Sequence, residues 1–249
     1  MAVVLKSAAE IEKLREAGKR TREVLQLVRS LVKPGVTTYD LDKAAEDKLN
    51  EWGIRSAFKG YHGFPAVLCT SVNDEVVHGI PSKKRVLKEG DVVSVDFGLF
   101  YEGYCGDSAI TIPVGTIDEK TARLLKTTEE SLYAGIKAVK PGATLGDVGA
   151  AVQRVVEREG FGVVRDFVGH GVGTQMHEDP QVPNYGKPGR GLKLREGMVI
   201  AIEPMVNVGT YEVEVLDDGW TTVSADGSMS AHFEHTVAVT ANGVRILTE

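Results

Sequence analysis

Apolar positions along the chain follow helical spacing and then strand spacing, and the sequence runs through this order twice. Ile11, Leu14, Val24, Val28 and Leu31 recur at mostly helical intervals behind Ser7-Ala-Ala-Glu10, a capping box, and Pro34-Gly35 stops that helix. A second helix is predicted from near Thr38, carrying Leu41, Ala45, Leu49 and Trp52 up to Gly53. Helices are predicted again over about 118–140, with Leu125, Leu132, Ile136 and Val139 ahead of Pro141-Gly142, and over about 144–159, with Leu145, Val148, Val152 and Val155 ahead of Gly160. Apolar runs predict strands near 66–72, 91–97 and 105–114 after the first helix pair, and near 198–203, 212–216 and 231–240 after the second.

This order reflects an internal repeat. Val32-Lys-Pro-Gly-Val-Thr-Thr-Tyr-Asp-Leu41 returns as Val139-Lys-Pro-Gly-Ala-Thr-Leu-Gly-Asp-Val148. Leu87-Lys-Glu-Gly-Asp-Val-Val-Ser-Val-Asp96 returns as Leu194-Arg-Glu-Gly-Met-Val-Ile-Ala-Ile-Glu203. Both matches have the same offset of 107 (32 to 139, 87 to 194) and divide residues 1–249 into halves of about 1–115 and 116–249. Helices followed by strands, rather than strict alternation, predict an α+β fold with antiparallel sheet and helices on one face. The two units are expected to fuse into a single domain around a shared sheet, with ligands in the cleft between the halves.

The repeat places Asp96 and Glu203 at the same position, each ending an apolar strand. One such carboxylate is as readily a salt-bridged strand terminus; two related by the repeat point to a shared cation. Asp107, in Gly103-Tyr-Cys-Gly-Asp-Ser108, is expected at the start of a strand, and Glu234, in Ser230-Ala-His-Phe-Glu-His235, at the entrance to one. His170 stands between glycines in Val168-Gly-His-Gly-Val-Gly173, which predicts a loop rather than a packed helix face. His78 and His177 share the pattern His-x-x-Pro, one in each half, and are candidates to touch substrate. His62, His232 and His235 are assigned to structural or supporting positions.

Composition limits the function classes. The 249 residues are 42% hydrophobic and 26% charged, ordinary for a globular chain, and the formal net charge of −6 argues against nucleic acid or an anionic membrane as the principal partner. No apolar stretch approaches the ~20 residues of a spanning helix, and the first charge arrives at Lys6, too early for a signal sequence. Cys69 and Cys105 form no Cys-x-x-Cys, which favours a reducing, cytoplasmic setting. There is no Gly-x-Ser-x-Gly elbow and no P-loop.

Asp96, Asp107, His170, Glu203 and Glu234, in that order and in those contexts, resemble the five metal ligands of type I methionine aminopeptidases. The resemblance runs from the first helix to Val244, and Tyr61-His-Gly-Phe-Pro65, Asn73-Asp-Glu-Val-Val-His-Gly-Ile-Pro81 and Gly169-His-Gly are specific to it. It implies the pita-bread fold, whose halves are related by a pseudo-twofold axis. It also implies two divalent metal ions (Mn, Fe(II) or Co), with Asp107 and Glu234 bridging, Asp96 on one ion, and His170 with Glu203 on the other. Glu203 is expected to shuttle a proton, and His78 or His177 to stabilise an oxyanion. The methionine pocket is expected at Tyr61, Phe64, Cys69 and Trp220, and a monovalent cation (Na or K) near Asn73 and Ser230. The implied activity is removal of the N-terminal methionine of nascent polypeptides before a small second residue, by a monomer in transient ribosome association. Phe58 and Met176 depart from residues common in the family and are expected to alter pocket shape. The alternatives are a proline-specific peptidase of the same fold and a non-catalytic binding module.

Overall fold

A computed structural model describes residues 3–249, so Met1 and Ala2 lie outside the described residues. Helix α1 (Ala8–Leu31) opens on Ser7, whose side chain accepts from the Glu10 amide while the Glu10 carboxylate takes the Ser7 amide. Thr37 and Asp40 close the same box on α2 (Thr38–Trp52), which ends at Gly53 in the left-handed conformation, φ 65°. The first half continues through β1 (Arg55–Ser56), β2 (Leu68–Val72), β3 (Glu75–Val77), β4 (Val92–Tyr101) and β5 (Tyr104–Pro113). In the second half Asp118 caps α3 (Glu119–Ala138), and Thr144 with Asp147 forms the capping box of α4 (Leu145–Arg158).

The remaining strands are short: β6 (Gly162–Val163), β7 (Gly169–Gly171), β8 (Glu178–Val182), β9 (Val199–Ile202), β10 (Met205–Asn207), β11 (Val213–Val215), β12 (Thr222–Ser224), β13 (Ser230–His232), β14 (His235–Thr240) and β15 (Gly243–Ile246).

The repeat is visible in the backbone. Gly35 N–H donates to Leu87 O and Gly142 N–H to Leu194 O, at 2.8 and 2.9 Å, and the isolated bridges Thr37–Val86 and Thr144–Lys193 are related by the same offset. Each half has its own core. One gathers Val24, Val28, Leu41, Leu49, Leu68, Val95, Phe97 and Leu99. The other gathers Leu124, Leu132, Ile136, Val148, Val152, Met198, Ile200 and Val237. A third cluster draws Leu14, Phe64, Cys69 and Cys105 from one half and Val172, Met176, Ala201 and Ala238 from the other, and so lies along the seam. Helix α1 lies hard against β5: a Cβ added at Gly106 would stand 2.6 Å from the Ala17 carbonyl carbon.

Among the described residues all strand pairings are antiparallel, yet the expected shared sheet is divided into four hydrogen-bonded sheets. The divisions coincide with the carboxylates. Glu203-Pro204 separates β9 from β10, where proline has no N–H to give, and Phe233-Glu234 splits the predicted 231–240 strand into β13 and β14. Hydroxyls stitch the halves together at this break. Ser108 Oγ donates to Glu234 O (2.6 Å), Thr236 Oγ1 to Asp107 O (2.8 Å) and Thr111 Oγ1 to His232 O (2.8 Å). Each is worth about 1 kcal/mol net.

Candidate metal centre

Strand periodicity brings the first two carboxylates together. In the β4–β5 register Asp96 faces Ala109 and Gly98 faces Asp107. Residues 96 and 98 share one face of β4, and 107 and 109 the matching face of β5, so Asp96 and Asp107 point the same way. Val95 and Phe97, on the opposite face, are fully buried in the first core. Gly98 leaves the room: a Cβ there would meet Phe58 Cε1 at 2.8 Å and Asp107 Oδ1 at 3.2 Å. Neither aspartate stands at a strand end as expected. Asp96 is in the middle of the ten-residue β4 and Asp107 is the fourth residue of β5, because the hairpin runs on to a Glu102-Gly103 turn with both φ positive.

His170 is in β7, not in a loop. Its glycine neighbours let β7 pack between β8 and β9: a Cβ on Gly169 would reach 2.3 Å from Ala201 O, and one on Gly171 2.2 Å from Asp179 O. The ring Nδ1 lies 2.9 Å from Gly171 O, an assignment that makes Nδ1 the donor and leaves the Nε2 lone pair facing the acids. Nε2 is 3.5 Å from Glu203 Oε1 and 3.7 Å from Asp107 Oδ2, too long for hydrogen bonds. Glu203 follows β9 directly, and Asn184 Nδ2 donates to its carbonyl (3.0 Å). Glu234 sits between β13 and β14, its N–H on Ala109 O (2.9 Å).

All five side chains line one cavity of about 360 Å³. Asp107, His170 and Glu234 each offer a ligand atom within 4.8 Å of the others; Glu203 joins through His170, and Asp96 stands outside that closest group but on the same wall. Asp96 Oδ1, Asp107 Oδ1, Glu203 Oε1 and Glu234 Oε1 are buried without a hydrogen-bond partner among the described residues. Burial pushes the Asp107 carboxyl up to about 7. Burial and neighbouring negative charge drive Asp96, Glu203 and Glu234 well above the usual carboxylate range. Burial, then His177, lowers His170 to about 3, so its imidazole is neutral and available as a ligand. Four orphaned acids beside a neutral imidazole fit a divalent-cation site, since cations supply the compensation that the protein does not.

His78 and His177 both line the cavity. His177 meets His170 edge-to-face, centroids 4.2 Å apart, and its Nδ1 is 2.8 Å from the Tyr61 hydroxyl. His78 takes a positive φ of 61° and lies edge-on to Phe167 and Trp220 at 5.4 and 6.2 Å; burial lowers it to about 4. Tyr61, Phe64, Cys69 and Trp220 form the apolar wall with Phe58 and Met176, and Phe64 meets Trp220 edge-to-face at 5.1 Å. Burial and Asp96 raise the Cys69 thiol far above its usual range, which keeps it neutral.

Phe167 and Met205 also line the cavity, as do His62 and His232, expected in structural or supporting positions. His232 Nε2 is 3.9 Å from Glu203 Oε2, and both ring nitrogens are buried without partners. The signal was present in Ser230-Ala-His-Phe-Glu234, where period-2 spacing relates 232 to 234.

The model of metallopeptidase family M24 matches residues 12–241. The chain belongs to that family. A methionine aminopeptidase of Clostridium acetobutylicum is 54% identical over 246 residues, 99% of this chain and 98% of its own length. The crystal structure of a methionine aminopeptidase from Thermotoga maritima superposes with a TM-score of 0.97 at 50% identity, each chain fully covered. A prolidase from Pyrococcus furiosus has a TM-score of 0.80 at 24% identity over 99% of this chain and 65% of its own, a likeness of fold alone. The chain is thus an M24 metallopeptidase with the pita-bread α+β fold. Among the described residues no helix is long and apolar enough to cross a membrane.

Proposed function

We propose that the chain removes the N-terminal methionine from nascent proteins and peptides with a small second residue. The observation that carries this is the juxtaposition, in one cavity, of four acids, each with a buried unpaired oxygen, and an apolar wall of Tyr61, Phe64, Cys69 and Trp220. Relatives named methionine aminopeptidase match along the whole length, whereas the proline-specific likeness stops at the fold. The acids and imidazole are retained, which disfavours a non-catalytic module.

Asp96, Asp107, His170, Glu203 and Glu234 would hold two divalent ions, with Mn, Fe(II) or Co suited to an oxygen-rich set with one imidazole. Such ions supply Lewis acidity and bring water toward ionisation near neutral pH. The Glu203 carboxylate takes the proton of the attacking water and delivers it to the departing amine. If the Tyr61 hydroxyl, 2.8 Å from Nδ1, is the donor of that pair, His177 keeps its proton on Nε2 and hydrogen-bonds the developing oxyanion through it, assisted by His78. The apolar wall excludes water and takes an unbranched thioether side chain.

Residues 1–249 act as a single catalytic domain and a monomer, in the cytoplasm and transiently at the ribosome. A monovalent cation, Na or K, binds near Asn73, whose carbonyl already accepts from the Ser230 amide at 2.8 Å. Hydrolysis of Met-Ala-Ser and of an Xaa-Pro peptide by chelated protein, before and after Mn²⁺ or Co²⁺, tests this reading. Metal-restored cleavage of Met-Ala-Ser alone is expected; preferential Xaa-Pro cleavage refutes it.

A further inference from the structure

His177 lies in a turn, residues 173–177, that belongs to no helix or strand; the Tyr61 hydroxyl meets its ring, and the backbone of the turn needs a support of its own. The residue after it supplies the anchor. Glu178 Oε1 accepts from the Gln175 amide (3.2 Å) and closes the turn, while Gly173 makes way: a Cβ there would stand 2.2 Å from the same oxygen. Gly173 O in turn accepts from the Cys105 amide of β5 (2.8 Å).

The other carboxylate oxygen, Glu178 Oε2, is 2.5 Å from Lys6 Nζ, which also donates to Val4 O at 3.1 Å. The Lys6 and Glu178 side chains are only 4% and 11% exposed, so this is a largely buried pair in which each charge compensates the other. Lys6 is itself held by its backbone, its N–H donating to Gly197 O (2.7 Å) in the turn that leads into β9. A rigid path therefore runs from the β9 turn through Lys6 and Glu178 to the His177 turn.

We propose that Lys6 is a positioning residue for His177, acting through Glu178, an inference that rests on the reading of His177 as a substrate contact. Without the ammonium, the Glu178 carboxylate is a stranded, largely buried charge, and its side chain turns toward water and releases the 173–177 turn that it closes through the Gln175 amide. Displacement of His177 by about an ångström is enough to slow catalysis by one to two orders of magnitude.

The test is steady-state kinetics on Met-Ala-Ser with metal content and melting temperature measured for each variant. Lys6→Met is expected to lower kcat roughly tenfold or more, with a smaller change in KM and the same metal content. Lys6→Arg keeps the charge and should retain most of the rate. Lys6→Met with Glu178→Gln removes the stranded charge, leaves an acceptor for Gln175 and should regain much of the loss. Glu178→Asp keeps the ion pair but shortens the link by one methylene, and should lower kcat even if Lys6→Met does not fold. On a His177→Ala background, Lys6→Met should add nothing further. The proposal is overturned if Glu178→Asp or folded Lys6→Met has a kcat within about twofold of wild type while His177→Ala is impaired. It is also overturned if Lys6→Met slows His177→Ala as much as it slows the parent. A His177→Ala enzyme as fast as wild type instead removes the reading of His177 itself, and this proposal with it.

Discussion

Asp107→Asn should stabilise the metal-free protein at neutral pH while disabling it. Asp107 is 3% exposed, its Oδ1 has no hydrogen-bond partner, and its pKa rises from 3.8 to about 7 on folding. The folded state therefore binds a proton more tightly than the unfolded chain does. The stability linked to that proton is fully present below about pH 4 and is lost as pH rises through about 7. At about 1.4 kcal/mol per pH unit, the interval from 3.8 to about 7 corresponds to about 4 kcal/mol at most. Asp96, Glu203 and Glu234 move in the same direction and steepen the loss. Asparagine fills the same space without a charge. For a chain of this size each kcal/mol is worth ~2–4 °C, so a gain of several degrees near pH 7.5 is expected, shrinking toward pH 4. Differential scanning calorimetry of chelated wild type and variant from pH 4 to 8 measures it. Mn²⁺ should then stabilise the wild type strongly and the variant little. A wild-type melting temperature that is flat or rising between pH 5 and 8 without metal, or a variant that melts no higher at pH 7.5, would refute the reasoning.

Glu203→Gln should retain most substrate affinity but lower kcat by about 10²–10⁴-fold, the usual range for a lost acid–base group, checked by peptide hydrolysis in saturating metal. Trp220→Ala opens the pocket wall beside Phe64 and should raise KM for methionine substrates several-fold, with a smaller change for a bulkier, poorer first residue. Gly106→Ala drives a methyl into the α1 backbone at Ala17 and should cost roughly 1–3 kcal/mol, read as a lower denaturant midpoint with unchanged slope.

The helices were legible because each carries its own punctuation: Ser7 with Glu10, Thr37 with Asp40 and Thr144 with Asp147 are local signals that need no tertiary information. The repeat was legible for the same reason, and the backbone bonds at Gly35 and Gly142 reproduce it. Strands β6, β7 and β10 were not, since two or three residues are too few to show a period and exist only through their partners. Asp96 looked like a strand end because the run of β-branched residues stops there, whereas the ladder with β5 carries the strand five residues further. The sheet division at Glu234 arises from packing of the two halves, which no window of sequence contains, whereas Pro204 is a local mark, a residue with no N–H to give, and the strand predicted near 198–203 stops at it. Of the site, the five acid and imidazole positions stood out by context, while Phe167 and the Lys6–Glu178 pair, 172 residues apart, carry no local mark.

Asp96, Asp107, His170, Glu203 and Glu234, which line one cavity, are proposed to hold a pair of divalent ions together. Anomalous diffraction from crystals grown with Mn²⁺ measures this directly. Two peaks among these five side chains, shared between the halves, are predicted; a cavity that stays empty at saturating Mn²⁺ while the enzyme remains active contradicts the account.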